Sequence, residues 1–187
     1  AQARLALGLI VATIPTVLAG LVLYLTGLTE ALRSIAVIGW TMLLFGLLLY
    51  WMDQKGPQTK IAADWSLRDA AIMGLWQAIA LIPGTSRSGI TITGARHLGY
   101  TREEGARLAM LMSIPTIIAS GVLLSLDVAH EADAQLAKDG AIAALFAFVS
   151  ALLALSLMMR LLRSVSFTPY VIYRVILGAI LLVISYS

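Results

Sequence analysis

The 187-residue chain has no cysteine, which excludes disulfides and thiolate metal sites and leaves the redox compartment open. Charge is scarce as well. Asp, Glu, Lys and Arg make up 12% of the residues, where an ordinary soluble domain carries about 25%. With 60% hydrophobic residues and a mean hydropathy of +0.92, the chain reads as an integral membrane protein. The net charge of +3 is small, and no stripe interleaves Lys or Arg with aromatic side chains, so no nucleic-acid partner is expected. No signal-peptide n-region is present. The chain opens on Ala1, almost directly onto an apolar run, and a trimmed or processed N-terminus is expected. His97 and His130 have no partner at metal-ligand spacing; the first reads as interfacial and the second as solvated.

The long apolar runs give the architecture. Residues 5–25, 34–52, 105–126, 140–159 and 169–187 are each long enough to cross a hydrocarbon core of roughly 30 Å, which needs about 20 helical residues. Pro15 is expected to kink the first run and Pro115 to break the third. The spans read as one integral membrane domain over residues 1–187, an all-α polytopic fold. Tyr50 and Trp51 close the second run as interfacial aromatics. Ser66 is placed to cap the next helix, Thr101 and Glu104 have the spacing of a capping box, and Thr168-Pro169 offers a cap and a helix-starting proline. Asp127 to Asp139, with four acids, reads as a solvated loop.

Between the second and third runs, residues 69–96 form two apolar stretches too short to cross singly, Ala70 to Ile82 and Ile90 to Ala95. They flank Pro83-Gly84-Thr85-Ser86-Arg87-Ser88-Gly89, and the simplest arrangement is a re-entrant helical hairpin with this heptapeptide at its tip. Charge placement agrees. If the hairpin returns to the side it left, Arg4, Lys55, Lys60, Arg68, Arg96, Arg102, Arg107, Arg160 and Arg163 share one face, against Arg33 and Lys138 on the other. Nine against two predicts the first face to be cytoplasmic.

In a soluble protein the heptapeptide would be ordinary loop. Within a membrane, irregular backbone and a guanidinium are tolerated only in a protein-lined cavity, and such an arginine points to function. The hydroxyls of Thr85, Ser86 and Ser88, the backbone at Gly84 and Gly89, and Arg87 together suit an anion, phosphate above all. Gln77, two turns earlier, is a polar group that needs a buried partner. Arg174, one turn inside the last span, reads as a side chain snorkelling to the cytoplasmic headgroups. No carboxylate–histidine pair lies near Arg87, so the chain displays an anion cradle without an evident base. Three classes fit these features: a phosphatase, a transporter or flippase of a phosphorylated lipid or small anion, and a non-catalytic membrane scaffold, which leaves Arg87 unexplained.

The run from Gln77 to Gly89, followed by Thr91 and Gly94, resembles the second signature of the bacterial undecaprenyl-diphosphate phosphatase family, the bacitracin-resistance proteins. The tail Ser166-Phe167-Thr168-Pro169-Tyr170-Val171-Ile172-Tyr173-Arg174 is similar to that family's C-terminal segment. The resemblance implies a multi-pass enzyme of the bacterial inner membrane, built from inverted repeats, that removes one phosphate from the diphosphate lipid carrier of cell-wall synthesis. It implies catalytic roles for Arg87 and Ser86 and substrate contacts from Gly84, Thr85, Ser88, Gly89, Thr91 and Gln77. It also implies Mg2+ or Ca2+, a polyprenyl diphosphate substrate and contact with membrane lipid, and leaves a homo-oligomer open. The family's first signature, Glu-rich and ending in Ser-Ser-Thr-Gly-His, is absent from this chain, which therefore looks like the C-terminal two-thirds of such a phosphatase and should lack much of its catalytic apparatus.

Overall fold

Two of the helices start where a serine supplies a side-chain acceptor for their orphan amides. Ser34 accepts from the Val37 amide at 3.2 Å and Ser66 from the Asp69 amide at 3.0 Å, both in extended conformation. The computed structural model describes residues 2–131, 134–161 and 165–187. In order, α1 is Gln2–Thr26, α2 the single turn Leu28–Ala31, α3 Ile35–Lys55 and α4 Leu67–Ile79. There follow α5 Arg87–His97, α6 Arg102–Glu131, α7 Ala134–Leu161 and α8 Thr168–Tyr186. A 3-10 turn at Ala62–Asp64 precedes α4, and the described residues form no strand beyond an isolated bridge between Lys60 and Tyr100.

Four of these helices are long and apolar enough to cross a membrane: Ala3–Thr26, Ile35–Lys55, Lys138–Leu161 and Thr168–Tyr186. The protein is an all-α polytopic membrane protein. The remaining expected crossing, 105–126, falls on α6, a 30-residue helix outside those four. Pro115 does not break α6. A proline removes one amide and displaces one carbonyl, and hydroxyls beside it take up nearby carbonyls: Ser113 donates to Met110 O and Thr116 to Ser113 O. The expected loop from Asp127 to Asp139 also shrinks. α6 continues to Glu131 and α7 begins at Ala134, because Leu126 to Glu131 holds neither glycine nor proline to stop a helix. The expectations placed on the side chains of Asp127, His130, Glu131, Asp133 and Arg163 lie outside the described residues. At α8 the cap is displaced by one residue: Thr168 is already helical, Phe167 sits at the cap, and the proline falls in the first turn.

The hairpin of α4 and α5 has its two ends fastened together. Thr59 and Lys60 donate their amides to Gly99 O at 3.1 and 3.0 Å, and Thr101 N donates to Lys60 O at 3.1 Å. The chain therefore enters and leaves the hairpin at one place. Its legs, 13 and 11 residues long, reach about 20 Å and about 16 Å at 1.5 Å per residue, short of a full crossing. They can lie close because Gly94 faces the Trp76 ring: a Cβ there would sit 2.6 Å from Trp76 Cδ1.

A buried ionic knot secures the base. Asp53, 1% exposed, accepts both Nε and Nη2 of Arg102 at 2.8 and 3.0 Å and lies 3.4 Å from Arg96 Nε. Arg96 is fully buried and donates to the carbonyls of Asp53, Gly56, Pro57 and Tyr100, so it acts as an internal brace. Asp69 accepts from Lys60 Nζ at 3.0 Å and from Tyr100 OH at 2.7 Å. Burial and that bond to Asp69 push the Tyr100 phenol well above its ordinary range, keeping it a donor. The Thr101 box is half formed: Thr101 Oγ1 accepts from Glu104 N, but the Glu104 carboxylate turns to Ala62 N at 2.9 Å and holds the turn before α4.

α3 and α8 run antiparallel in close contact because glycines face each other. A Cβ on Gly178 would lie 2.9 Å from Gly39 O and 3.2 Å from Leu43 N, and Gly46 leaves room for the stem of Arg174. This pair forms the wall against which the hairpin tip rests.

Candidate functional site

The tip is a sharp turn that the sequence can make only with glycine. Gly84 has φ +84, and a Cβ there would also strike Thr41 Oγ1 and, at 2.6 Å, Ile38 O. That close approach lets Thr41 Oγ1 donate to Pro83 O at 2.6 Å, tying the turn to α3. Thr41 is the seventh residue of α3, so the tip lies about 9 Å from one end of that helix and about 21 Å from the other. The hairpin thus reaches well inside the bundle.

Ser86 follows with φ 67 and ψ 111, among the described residues the one non-glycine at positive φ. Such a conformation costs on the order of 1–3 kcal/mol and persists only where the surroundings impose it. Three contacts impose it here. Ser86 Oγ accepts from Gly89 N at 3.2 Å as the cap of α5 and from Tyr170 OH at 2.7 Å, and lies 3.5 Å from Ser88 Oγ. Tyr170 OH in turn accepts from Arg174 Nη1 at 3.3 Å.

Arg174 is where the structure departs most from the sequence reading. It is 3% exposed, not snorkelling. Its Nη2 donates to Gly84 O at 2.9 Å and to Thr41 O at 3.4 Å, and its guanidinium lies 5.7 Å from the Tyr170 ring centre. The reason is the α3–α8 contact: Gly46 opens a channel for its stem, and the carbonyls exposed by the turn at Gly84 offer acceptors nearer than any headgroup.

The predicted site residues divide into two groups. Gly84, Thr85, Ser86, Arg87, Ser88 and Gly89 form the tip and the first turn of α5, an N-terminus whose leading amides have no acceptor within the helix. Two side-chain donors there are orphans: Thr85 Oγ1, in a residue 1% exposed, and Arg87 Nη1 are both buried with no partner among the described residues. Thr91 and Gln77 stand apart. Thr91 Oγ1 donates to Arg87 O at 2.7 Å and serves the helix backbone. Gln77 is fully buried and donates through Nε2 to Thr16 Oγ1 of α1 at 3.2 Å, while its Oε1 has no partner among the described residues. Sequence reasoning missed Tyr170 and Thr41. Tyr170 and Arg174 are an i, i+4 pair and so share a helix face; Thr41 is a lone hydroxyl between Gly39 and Gly46 in an apolar run.

Among the described residues no carboxylate pairs with Arg87 or Arg174, because Asp53 and Asp69 are committed to the base of the hairpin. Arg96 is nine residues along α5 from Arg87, about 14 Å at helical rise. The tip is therefore cationic and acceptor-poor. No group of three or more His, Cys, Asp or Glu that could hold a metal occurs among the described residues. The donor set suits an anion and gives no seat to Mg2+ or Ca2+. Beside the tip, Ser88, Gly89 and Tyr170 form the rim of a cavity of about 150 Å³ walled by Leu49, Ile92, Met158 and Phe167.

Known proteins are similar to this chain along nearly its whole length. The undecaprenyl-diphosphatase of Ruegeria pomeroyi is 79% identical over 185 residues, covering 99% of this chain and 69% of its own. That of Dinoroseobacter shibae is 71% identical over the same length and the same shares. That of Chromohalobacter salexigens is 43% identical over 182 residues, 97% of this chain and 68% of the relative. The family described as Bacitracin resistance protein BacA matches residues 1–180, a stretch that takes in the hairpin, its tip and the Tyr170–Arg174 pair braced against it. The chain belongs to the bacitracin resistance protein BacA family.

Proposed function

We propose that the protein takes part in the hydrolysis of undecaprenyl diphosphate to undecaprenyl phosphate and inorganic phosphate, the reaction that the names of its relatives describe, in a bacterial inner membrane. The observation that carries the site assignment is the pair of orphaned donors at the hairpin tip, Thr85 Oγ1 and Arg87 Nη1. Leaving a buried donor unsatisfied costs about 1–3 kcal/mol, and an acceptor-only phosphate oxygen would repay that on binding. The carboxylate-free surroundings of Arg87 and Arg174 support a ligand with more than one negative charge. The apolar cavity opening from Ser88 and Gly89 supports a lipid diphosphate over a small anion.

In this reading Arg87 spans oxygens of the diphosphate as a planar two-pronged donor, Thr85 and Ser88 donate hydroxyl hydrogens, and the first-turn amides of α5 face the negative charge. Water attacks the terminal phosphorus, the bond from that phosphorus to the bridging oxygen breaks, and the bridging oxygen leaves on the lipid monophosphate. Charge accumulating on that oxygen is what the cationic tip stabilises. The tip residues form no cation site, and Mg2+ or Ca2+, which the resemblance implies, would take its ligands from residues outside this chain.

The test is Arg87→Lys and Arg87→Ala in the full-length protein, assayed for phosphate release from a prenyl diphosphate. Losing one preorganised donor costs about 10²–10³ in turnover. Lys keeps charge without the planar fork and is expected to fall between wild type and Ala. A well-folded Arg87→Ala protein that turns over at the wild-type rate refutes the site.

A further inference from the structure

The hydroxyl of Ser86 has its direction decided by its neighbours. A serine hydroxyl offers one hydrogen and two lone pairs. The Gly89 amide, which can only donate, occupies one lone pair at 3.2 Å. The other faces Tyr170 OH at 2.7 Å. The phenol is itself polarised from behind, because Arg174 Nη1 can only donate and reaches it at 3.3 Å. A phenol that accepts from a guanidinium sends its hydrogen onward, and its near acceptor is Ser86. The order Arg174 to Tyr170 to Ser86 is therefore fixed by fixed donors at both ends, the guanidinium and the Gly89 amide.

From this geometry we propose that Tyr170 is a positioning residue that makes Ser86 an obligatory hydrogen-bond donor to a phosphate oxygen of the substrate, and not the nucleophile. With both lone pairs engaged, Ser86 Oγ has no electron pair to present to phosphorus, and its single hydrogen is left for Ser88, 3.5 Å away, or for a closer acceptor. A fully ionised phosphate oxygen, acceptor-only, meets that requirement. Gly89 belongs to the same device: a Cβ there would stand 3.2 Å from Ser86 Oγ and 3.4 Å from Tyr170 OH, crowding both. The inference rests on the proposed phosphatase reading and adds to it the direction of one proton and the residue that sets it.

The experiment is a double-mutant cycle of Ser86→Ala and Tyr170→Phe in the full-length protein, read as kcat and KM with a prenyl diphosphate, alongside thermal stability. Ser86→Ala is expected to lose about 10²-fold in kcat/KM as a lost donor, Tyr170→Phe about tenfold, and the double variant no more than Ser86→Ala alone. Two further outcomes overturn the proposal: Tyr170→Phe losses that multiply with those of Ser86→Ala, and radioactive phosphate trapped on Ser86 by acid quench from substrate labelled at the terminal phosphorus. Should Tyr170→Phe fail to fold, 3-fluorotyrosine at position 170 keeps the shape and alters only the strength of the phenol as a donor, and kcat/KM is expected to change in the wild-type background but not beside Ser86→Ala. Equal changes in both backgrounds overturn the proposal. If Ser86→Ala and Arg87→Ala both leave hydrolysis intact, the phosphatase site itself is wrong, which separates the two failures.

Discussion

Truncating Arg174 to alanine should be among the most damaging single changes in the chain. Its bond to Gly84 O at 2.9 Å is a charge-assisted contact in a buried setting, worth about 1.5–3 kcal/mol. The bonds to Tyr170 OH at 3.3 Å and Thr41 O at 3.4 Å are longer and add less. Removing the stem beside Gly46 also leaves a void, for about 1–2 kcal/mol more. The sum, about 3–5 kcal/mol, corresponds to a fall in melting temperature on the order of 10 °C for a chain of this size. Activity should fall further than stability, since the lost contact holds the tip itself, and a displacement of about 1 Å in a positioning element can cost 10²-fold. Arg174→Lys should restore part of the stability and little of the rate, because an ammonium cannot serve Gly84 O, Thr41 O and Tyr170 OH together. The assay is thermal unfolding of detergent-purified protein beside prenyl diphosphate hydrolysis. An alanine variant with wild-type melting and turnover would mean that Arg174 reaches the headgroups after all, and the account of the tip would fall.

Gln77→Leu is expected to be nearly neutral, within about 1 kcal/mol in stability and a few-fold in rate, because its amide serves only Thr16 and its carbonyl has no partner; a large loss of turnover in a stable variant would place Gln77 on the substrate. The charge asymmetry predicts cysteines at Thr59 and Lys138 to differ in reaction with an impermeant maleimide on intact cells. Lys138 should label and Thr59 should not, and the reverse or equal labelling would refute the orientation.

The hairpin was legible because its evidence is local. Two short apolar runs around Pro83 to Gly89, and a charge asymmetry that survives only if the chain turns back, are read from the sequence without knowledge of packing. That Gly84 to Gly89 lie together at the turn was legible for the same reason. Arg174 was not, because an arginine one turn inside a span has the same local signature whether it reaches lipid headgroups or the interior. The decision is made by Gly46 and Gly178 on two helices 132 residues apart in sequence, which set how closely α3 and α8 approach. The burial of Arg96 was hidden for a similar reason, since it follows from Asp53 and the carbonyls at Gly56 and Pro57 folding over it. For Thr91 and Gln77 the sequence could not give the partners, which are the helix backbone and Thr16 of α1, because neither follows from the spacing of the motif.

The backbone of Ser86 has a consequence for anyone who reshapes this protein. Glycine at 86 would release the cost of φ 67, but it would also take the acceptor away from Gly89 N and Tyr170 OH. The two terms oppose each other, so the serine sits at little net cost to the fold, and a search for stability alone has little to gain by removing it. Gly84 is different, since φ and contact both demand glycine there. Of the two residues at the tip, one is therefore held by the backbone and the other by what its hydroxyl touches.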